Sequence, residues 1–334
     1  MIRRPPRSTL DRSSAASDVY KRQYLAFEAG AFPGSPIGGA TACMLSPYDI
    51  KNLTLDGYDV VDNKPKTTAY RAPGAPIGAL AVETIMDEIA ETLNIDKIDL
   101  RLMNAAKEGS RRADGVVNPK IGMIETAEIV KAHEHYTSDL LQVEGKLRGR
   151  GIAMGYWRNN TGPAACVATV TPDGNVNLAE GSVDVGGSRT AIAQQLAEVL
   201  GIPVEDVNPQ VADTDSIGYT SVTGGSGVAF KSGWAAYEAA QHIKAQIIER
   251  AALIWDSDKD EIEYSEGTVS HKSDPELKLS FKDIASGSNN TGGPIVGSAG
   301  VNPIGAGGSY AAMIIDLDID EETGKTDVLR WFQR

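Results

Sequence analysis

The sequence predicts a mixed α+β chain, α/β in class, with sheets flanked by helices and more than one domain. Three observations lead there. Apolar residues recur at three- and four-residue spacing in several separate segments, the period of helices packed on one face. Short β-rich runs bounded by Gly, Pro and Asp lie between those segments. The chain has 334 residues, 41% of them hydrophobic, enough for two or three domains of roughly 150 residues each.

Taken in order, Met1–Gln23 is basic and rich in Ser and Arg, without the apolar run of a secretory signal. Its composition also fits a transit peptide, but it more closely resembles translated adaptor or vector sequence, so 1–23 is set apart as a non-native leader. Tyr24–Ala69 is broken by Pro33-Gly34, Pro36 and Gly38-Gly39 and reads as irregular segments and short strands. An amphipathic helix is predicted near Ala79–Leu93. Val82, Ile85, Met86, Ile89, Ala90 and Leu93 form its apolar face, and Glu83, Asp87, Glu88 and Glu91 its polar one. Asp96 is the expected N-cap of a second helix reaching Met103. Gly109–Tyr136 lacks a clear period and reads as a connector.

From Gly151 the pattern turns to strands. Cys166–Pro172 and Asn175–Val185 flank Pro172-Asp173-Gly174, a hairpin signal. A helix over Arg189–Leu200 stops at Gly201 and Pro203, and Val207–Asp213 is a short strand. A long helix spans Val228–Trp255, with Ala236, Ala240, Ile243, Ile247, Ala251 and Ile254 on one face. Strands are expected at Glu261–Tyr264, Thr268–His271, Tyr310–Asp318 and Thr326–Trp331. The two domains are placed at 24–145 and 146–334.

Composition excludes several classes. Acidic side chains number 45 against 32 basic ones, a net charge of −13, which argues against a nucleic-acid binder held by bulk charge. No window approaches the ~20 uninterrupted apolar residues of a membrane-spanning helix. With no secretory signal legible, the cytoplasm is the default expectation. Cys43 and Cys166 are too few for a disulfide framework or a cysteine-built metal cage.

The informative residues are clustered glycines. Two helices open directly after Gly-Gly-Ser, at Gly186, Gly187 and Ser188 and at Gly224, Gly225, Ser226 and Gly227. A helix N-terminus carries unpaired amides and partial positive charge. Glycine lets the backbone approach a ligand, and serine adds a hydroxyl. Such turns suit a phosphate or another anionic group. They equally serve as plain turn and N-cap chemistry. Neither matches a P-loop or a Rossmann fingerprint. Gly305–Ser309 precedes a strand and reads as a loop. A further segment, Ala69–Pro76 (AYRAPGAP), is a rigid Pro- and Gly-shaped loop whose one cation is Arg71.

In combination these segments resemble the molybdenum-binding subunit of the molybdenum hydroxylases, the family of xanthine dehydrogenase, aldehyde oxidase and carbon monoxide dehydrogenase. AYRAPGAP leads into an acidic amphipathic helix and DLRLMNA; VDVGGSRTAIAQQLAEVLGIPVEDV, ADTDSIGYTSVTGGSG and DLDIDEETGKTDVLRW follow in the family's order. The resemblance covers nearly all of Tyr24–Arg334. It implies two molybdopterin-binding domains, both incomplete, and a molybdopterin cofactor, in bacteria usually the cytosine dinucleotide form. It implies hydroxylation of an aldehyde or N-heterocycle with water as oxygen source. Electrons would leave through iron–sulfur clusters, and often FAD, on partner subunits. Matched position by position, Arg71 and Ala72 fall in the loop beside the metal. Gly186, Gly187 and Ser188 fall in the turn at the pterin, and Gly224–Gly227 in the turn near the pterin and its phosphates.

The chain also departs from the pattern. Gly187 stands where a Gln is common, which removes a side-chain amide from the metal's surroundings. Pro73 stands where xanthine dehydrogenase has an aromatic residue, which disfavours a purine substrate held by that ring. The family's basic glutamate belongs to a GxGE-type motif that does not occur before Arg334, and the first glycine-rich cofactor segment is also missing. The expectation is therefore the middle part of a large subunit, inactive by itself. Two other readings stay open: a non-catalytic phosphate- or dinucleotide-binding module, and a gene fragment without function.

The remaining polar residues are given bland roles. His133, Glu134 and His135 read as a solvated stretch, and Asp213 and Asp215 as a turn. Cys166 reads as a buried hydrophobe, Glu180 and Asp184 as strand residues facing water, and Trp234 and Tyr237 as core.

Overall fold

The computed structural model describes residues 21–334, with side chains from Tyr24 onward. The leader expected over 1–23 lies, through residue 20, outside the described residues. In chain order the elements are β1 (Lys21–Gly30), α1 (Ile37–Cys43), β2 (Leu53–Val61), α2 (Ala75–Leu93), α3 (Lys97–Met103), α4 (Met123–Ala132), α5 (Glu134–Thr137) and β3 (Lys146–Arg158). There follow β4 (Ala164–Val170), β5 (Val176–Glu180), α6 (Ser188–Leu200), β6 (Val207–Val211) and α7 (Val228–Trp255). Last come β7 (Ile262–Ser265), β8 (Thr268–His271), β9 (Lys278–Ser280), α8 (Phe281–Ser286), β10 (Ile295–Val301), β11 (Gly308–Asp320) and β12 (Thr326–Gln333). This is the mixed α/β class expected. Two compact units divide the chain, one of 21–157 with Gly308–Arg334, the other Arg158–Gly307.

In the first unit β1 and β2 pair in parallel, and β3, β11 and β12 form a sheet in the order β12-β11-β3. Helix α1 is one element that the glycines concealed. Gly38-Gly39 was expected to break the chain, yet both residues are helical. A Cβ on Gly39 would fall on the Pro73 carbonyl oxygen, and one on Gly78 would crowd the Met44 side chain. These glycines serve close approach between segments, not a turn. Helix α2 starts at Ala75, four residues before its apolar period becomes clear. Gly74, at φ +77°, and a proline in the first turn set that start. The connector expected over Gly109–Tyr136 contains α4, which buries Met123, Ala127 and Val130.

Glu83 corrects another expectation. It is 7% exposed rather than on the polar face of α2. Its carboxylate accepts hydrogen bonds from the Tyr48 hydroxyl (2.5 Å), Arg101 Nε (2.8 Å) and the Met154 amide (3.0 Å). Arg101 is fully buried, and its guanidinium also reaches the Glu83 carbonyl and Asp87. Burial pushes the Tyr48 hydroxyl's pKa up, and the Glu83 charge pushes it further.

A second charged array lies along β3 and β11. Lys146 pairs with Asp320, Arg148 with Asp318 and Arg150 with Asp316, at 2.6–3.0 Å. Partner numbers fall along one strand as they rise along the other, so the two strands run antiparallel. Asp316 is 1% exposed and also takes Arg330 (2.8 Å) and His135 Nε2 (3.1 Å). Burial works to raise its pKa, but the bonds from Arg150, Arg330 and His135 outweigh it and hold the carboxyl far below the usual range. His135, expected in a solvated stretch, is instead buried, with Nε2 3.1 Å from Asp316 Oδ2. Its neighbour His133 stacks on Phe332 at 3.7 Å.

The second unit is built on a four-stranded sheet in the order β10-β4-β5-β6. The expected hairpin joins β4 to β5, pairing Val170 with Val176. Helices α6 and α7 pack into one core with the inner side chains of this sheet. Alanines dominate the buried face of α7: Ala235, Ala236, Ala239 and Ala240 are all fully buried, whereas Ile254, expected on that face, is exposed in the last turn. Small side chains let that helix lie close to β10, where a Cβ on Gly297 would strike the Ala239 carbonyl. Strands β7, β8 and β9 form a separate antiparallel sheet.

Replacing Arg101 by Met strips the cation from a buried carboxylate. It is expected to destabilise the first unit by roughly 3–5 kcal/mol. Glu83→Gln keeps the Tyr48 and Met154 partners within reach and should cost less. Urea denaturation followed by tryptophan fluorescence checks the order, and equal losses would contradict it.

Candidate functional site

Arg71 and Ala72 sit in the first unit, on the loop ahead of α2. The loop is pinned from below. A Cβ on Gly74 would meet the Pro36 carbonyl and the backbone of Ala40. The Ala75 amide bonds the Ala72 carbonyl at 3.1 Å. Ala72 packs beside Cys43, Ala75 and Tyr156, while Arg71 and Tyr70 are exposed. Ala72 has φ +54°, a left-handed conformation that an alanine rarely adopts.

Gly186, Gly187 and Ser188 sit in the second unit, at the start of α6. Both glycines have positive φ (+96° and +85°), and beyond their own chain neighbours no atom lies within 4 Å of where either Cβ would stand. Their exposed backbone is thus open to a ligand. The amides are less free than the sequence implied. Asp184 accepts from the Gly186 and Ser188 amides (3.1 Å each), the Ser188 hydroxyl (2.9 Å) and Arg189 Nε (3.1 Å). The hydroxyl and the guanidinium, with those amides, bring the Asp184 carboxyl down to about 2. Asp184 was expected on a strand facing water. The strand instead ends at Glu180, and Asp184, three residues ahead of the N-cap Gly187, takes up amides at the helix entry.

Gly224, Gly225, Ser226 and Gly227 open α7. Asn160 supports this turn from behind: its amide donates to the Gly225 carbonyl at 2.7 Å, and Cβ atoms on Gly225 or Gly227 would collide with it. Ser226 is exposed and left-handed, at φ +59°. The structure brings this turn and the α6 turn to the same end of the second unit. Val183 N–H donates to Thr223 Oγ1 (3.1 Å), the Ser182 and Ser232 hydroxyls lie 2.6 Å apart, and a Cβ on Gly181 would strike Thr220.

Five non-glycine residues among those described have positive φ. Asn94 and Asp256 are C-caps of helices, and Glu266 lies in the β7–β8 turn. The other two are Ala72 and Ser226, one in each of two segments singled out from sequence. A left-handed non-glycine residue without a capping or hairpin role marks a backbone held for another purpose.

The sequence missed the buried polar groups beneath these turns. Glu180 is fully buried, not facing water; its Oε2 accepts the Ser182 amide at 2.7 Å, and burial raises its pKa. Lys231 is 1% exposed and donates only to neutral oxygens of Ser221 and Val222. A lysine on the otherwise apolar stripe of α7, beside Val228 and Ala235, was the available signal. Trp234 and Tyr237 are also corrected: each is nearly half exposed, and with Phe230 and Val199 they line a groove of about 610 Å³. Cys166 is buried as expected, which pushes its thiol up to about 12. Asp213 makes the expected turn, accepting the Asp215 amide at 2.8 Å. No group of three or more His, Cys, Asp or Glu side chains among the described residues could hold a metal ion. No helix among them is long and apolar enough to cross a membrane.

Family models described as molybdopterin cofactor-binding domains match residues 25–105 and 128–333. The xanthine dehydrogenase molybdenum-binding subunit of Escherichia coli O157:H7 is 27% identical over 290 residues, 80% of this chain and 38% of that protein. The nicotine 6-hydroxylase large subunit of Paenarthrobacter nicotinovorans is 26% identical over 293 residues, 79% of this chain and 36% of that protein. The chain thus spans well under half the length of these relatives. The crystal structure of quinoline 2-oxidoreductase from Pseudomonas putida 86 superposes with a TM-score of 0.80 at 19% identity, over 94% of this chain and 44% of that one. At that identity the likeness shows a shared fold.

Two outcomes follow from the turns. The folded Asp184 carboxyl titrates at about 2, below its unfolded value of roughly 3.9. Its hold on the two amides is therefore complete above pH ~4 and is lost as pH falls toward that folded value. Amide NMR shifts of Gly186 and Ser188 should titrate with that low midpoint, and a midpoint near the unfolded value would rule out that hold. Ser226→Gly should relieve the left-handed strain and stabilise the second unit by ~1 kcal/mol. Thermal denaturation reads this out, and a loss of stability would mean that the hydroxyl, not the backbone, matters at Ser226.

Proposed function

Since the chain belongs to the molybdopterin cofactor-binding family of the molybdenum hydroxylases, we propose that it is the cofactor-holding part of an oxidoreductase large subunit. The proposed cofactor is molybdopterin in its cytosine dinucleotide form. When bound, this group supplies the two-electron oxidation by which an aldehyde or N-heterocycle is hydroxylated with oxygen from water. Iron–sulfur clusters and FAD would reside on partner subunits. The activity is assigned to a protein of the relatives' full length. The domain division at 24–145 and 146–334 is proposed on the same grounds, each part answering mainly to one family model.

The observation that carries this reading is the pair of glycine turns held at one end of the second unit, one of them with a left-handed serine. Gly186 and Gly187 present open backbone with no side chain in the way. Because Asp184 already fills the neighbouring amides, this turn suits a neutral polar edge better than a phosphate. The Gly224, Gly225, Ser226 and Gly227 turn has no carboxylate cap and suits the anionic part. In the first unit, Arg71 offers an exposed guanidinium and Ala72 a strained, exactingly packed backbone. The residues of both units are proposed as cofactor contacts by family correspondence, supported by this chemistry.

Metal analysis tests the proposal. The purified protein should carry stoichiometric molybdenum, yield the fluorescent oxidised pterin, and release CMP on hydrolysis. Molybdenum and pterin without CMP would reject the dinucleotide form. A bound nucleotide without either would favour a plain phosphate- or dinucleotide-binding module.

A further inference from the structure

Lys231 and Ser232 are consecutive residues in the first turns of α7, 1% and 0% exposed. Each ties the helix to a different loop. The Lys231 ammonium donates to the Ser221 carbonyl (2.9 Å), the Ser221 hydroxyl (2.6 Å) and the Val222 carbonyl (2.7 Å). All three of its protons are thereby used, and all three bonds end within two residues of the loop that leads to Gly224. The Ser232 hydroxyl instead meets Ser182 at 2.6 Å, on the loop that leads to Gly186. Ser182 is itself oriented by its amide bond to the buried Glu180 carboxylate.

An ammonium withdrawn from water is costly unless it gains partners. Among the described residues no carboxylate lies within ion-pairing distance of Lys231. A methionine or leucine would satisfy the apolar stripe of α7 at lower cost. What only a lysine provides is a reach of four methylenes ending in three donors, matched here to three acceptors on one loop. The loop is sewn on its other side as well: the Ser221 amide bonds the Pro163 carbonyl at 2.8 Å, and the Ala165 amide bonds Thr220 Oγ1 at 3.1 Å.

We propose that Lys231 and Ser232 are positioning residues: from adjacent places on α7 they fix the two glycine turns in the shape that receives the ligand. The proposal rests on the cofactor reading for what the turns serve, but not for how they are held.

Hydrogen exchange of the full 334-residue chain, followed by mass spectrometry, is the test. In Lys231→Met, amides of 220–227 should exchange roughly tenfold or more faster, while β4 and β10 keep the wild-type rate. In Ser232→Ala the acceleration should fall instead on 181–188. A change spread evenly through the second unit, or none at either loop, overturns the proposal. Should Lys231→Met fail to fold, Ser221→Ala removes one acceptor from the loop side, and the same local acceleration at 220–227 is required of it. Pterin retained per molecule should fall in both α7 variants. If the wild-type chain yields no pterin, the cofactor reading fails, while the exchange result still decides how the turns are held.

Discussion

One carboxylate organises the first unit. Glu83 joins α2, which carries it, to α3 through Arg101, to β3 through the Met154 amide, and to the segment after α1 through Tyr48. None of these elements could shift by a helical turn without leaving a buried charge or donor unpaired. Such a loss costs several times a typical surface ion pair. The start of α2 is therefore fixed relative to α1 and α3, and the loop before it inherits that fixity. Ala72, left-handed at the head of this helix, is tied to it by the Ala75 amide, and Gly74 beside it packs against Pro36 and Ala40.

The second unit reaches the same end by another route. Its core is apolar and alanine-rich, so packing brings α7 close to the sheet but leaves loops at its N-terminal end without side chains to anchor them. Buried polar groups take over there. Glu180, Ser182 and Ser232 bond in sequence from the end of β5, and Lys231, next to Ser232 in the chain, bonds Ser221 and Val222 on the loop before α7. Polar groups in such a place specify one arrangement because a partly satisfied network costs more than an apolar one.

Much of this was legible in the sequence. The hairpin around Asp173, the long helix Val228–Trp255 and the Asp96 cap were all readable because each depends on local chemistry: turn residues, a helical period, a side chain reaching its own backbone. What stayed hidden depends on residues far apart. Nothing near Glu83 in the chain announces Arg101, Tyr48 and Met154 as its partners. His135 gives no sign of Asp316, 181 positions away, and α1 was concealed because its glycines answer to Pro73 rather than to their neighbours. The same holds for the site. The glycine turns could be read directly; of their supports, Lys231 left only the sign of a lysine on an apolar stripe, with its partners unreadable, and Asn160 left none.

The two turns also show why a repeated motif need not mean a repeated role. Each reads Gly-Gly-Ser before a helix, and by that pattern each offers free amides and a positive helix end. The difference lies two residues upstream of the first glycine. Asp184 places its charge on the α6 amides, so an incoming anion there would meet a carboxylate already in place. At the matching position before Gly224 stands Val222, whose carbonyl instead accepts from Lys231. At the α6 turn the Asp184 carboxylate, itself paired with Arg189, occupies the amides, whereas beneath the other turn lies a buried ammonium with only neutral partners, so the two helix ends differ although both carry the same half-charge. The electrical character of this end of the unit is therefore set by Asp184 with its partner Arg189 and by Lys231, while the glycines decide how closely a ligand can approach.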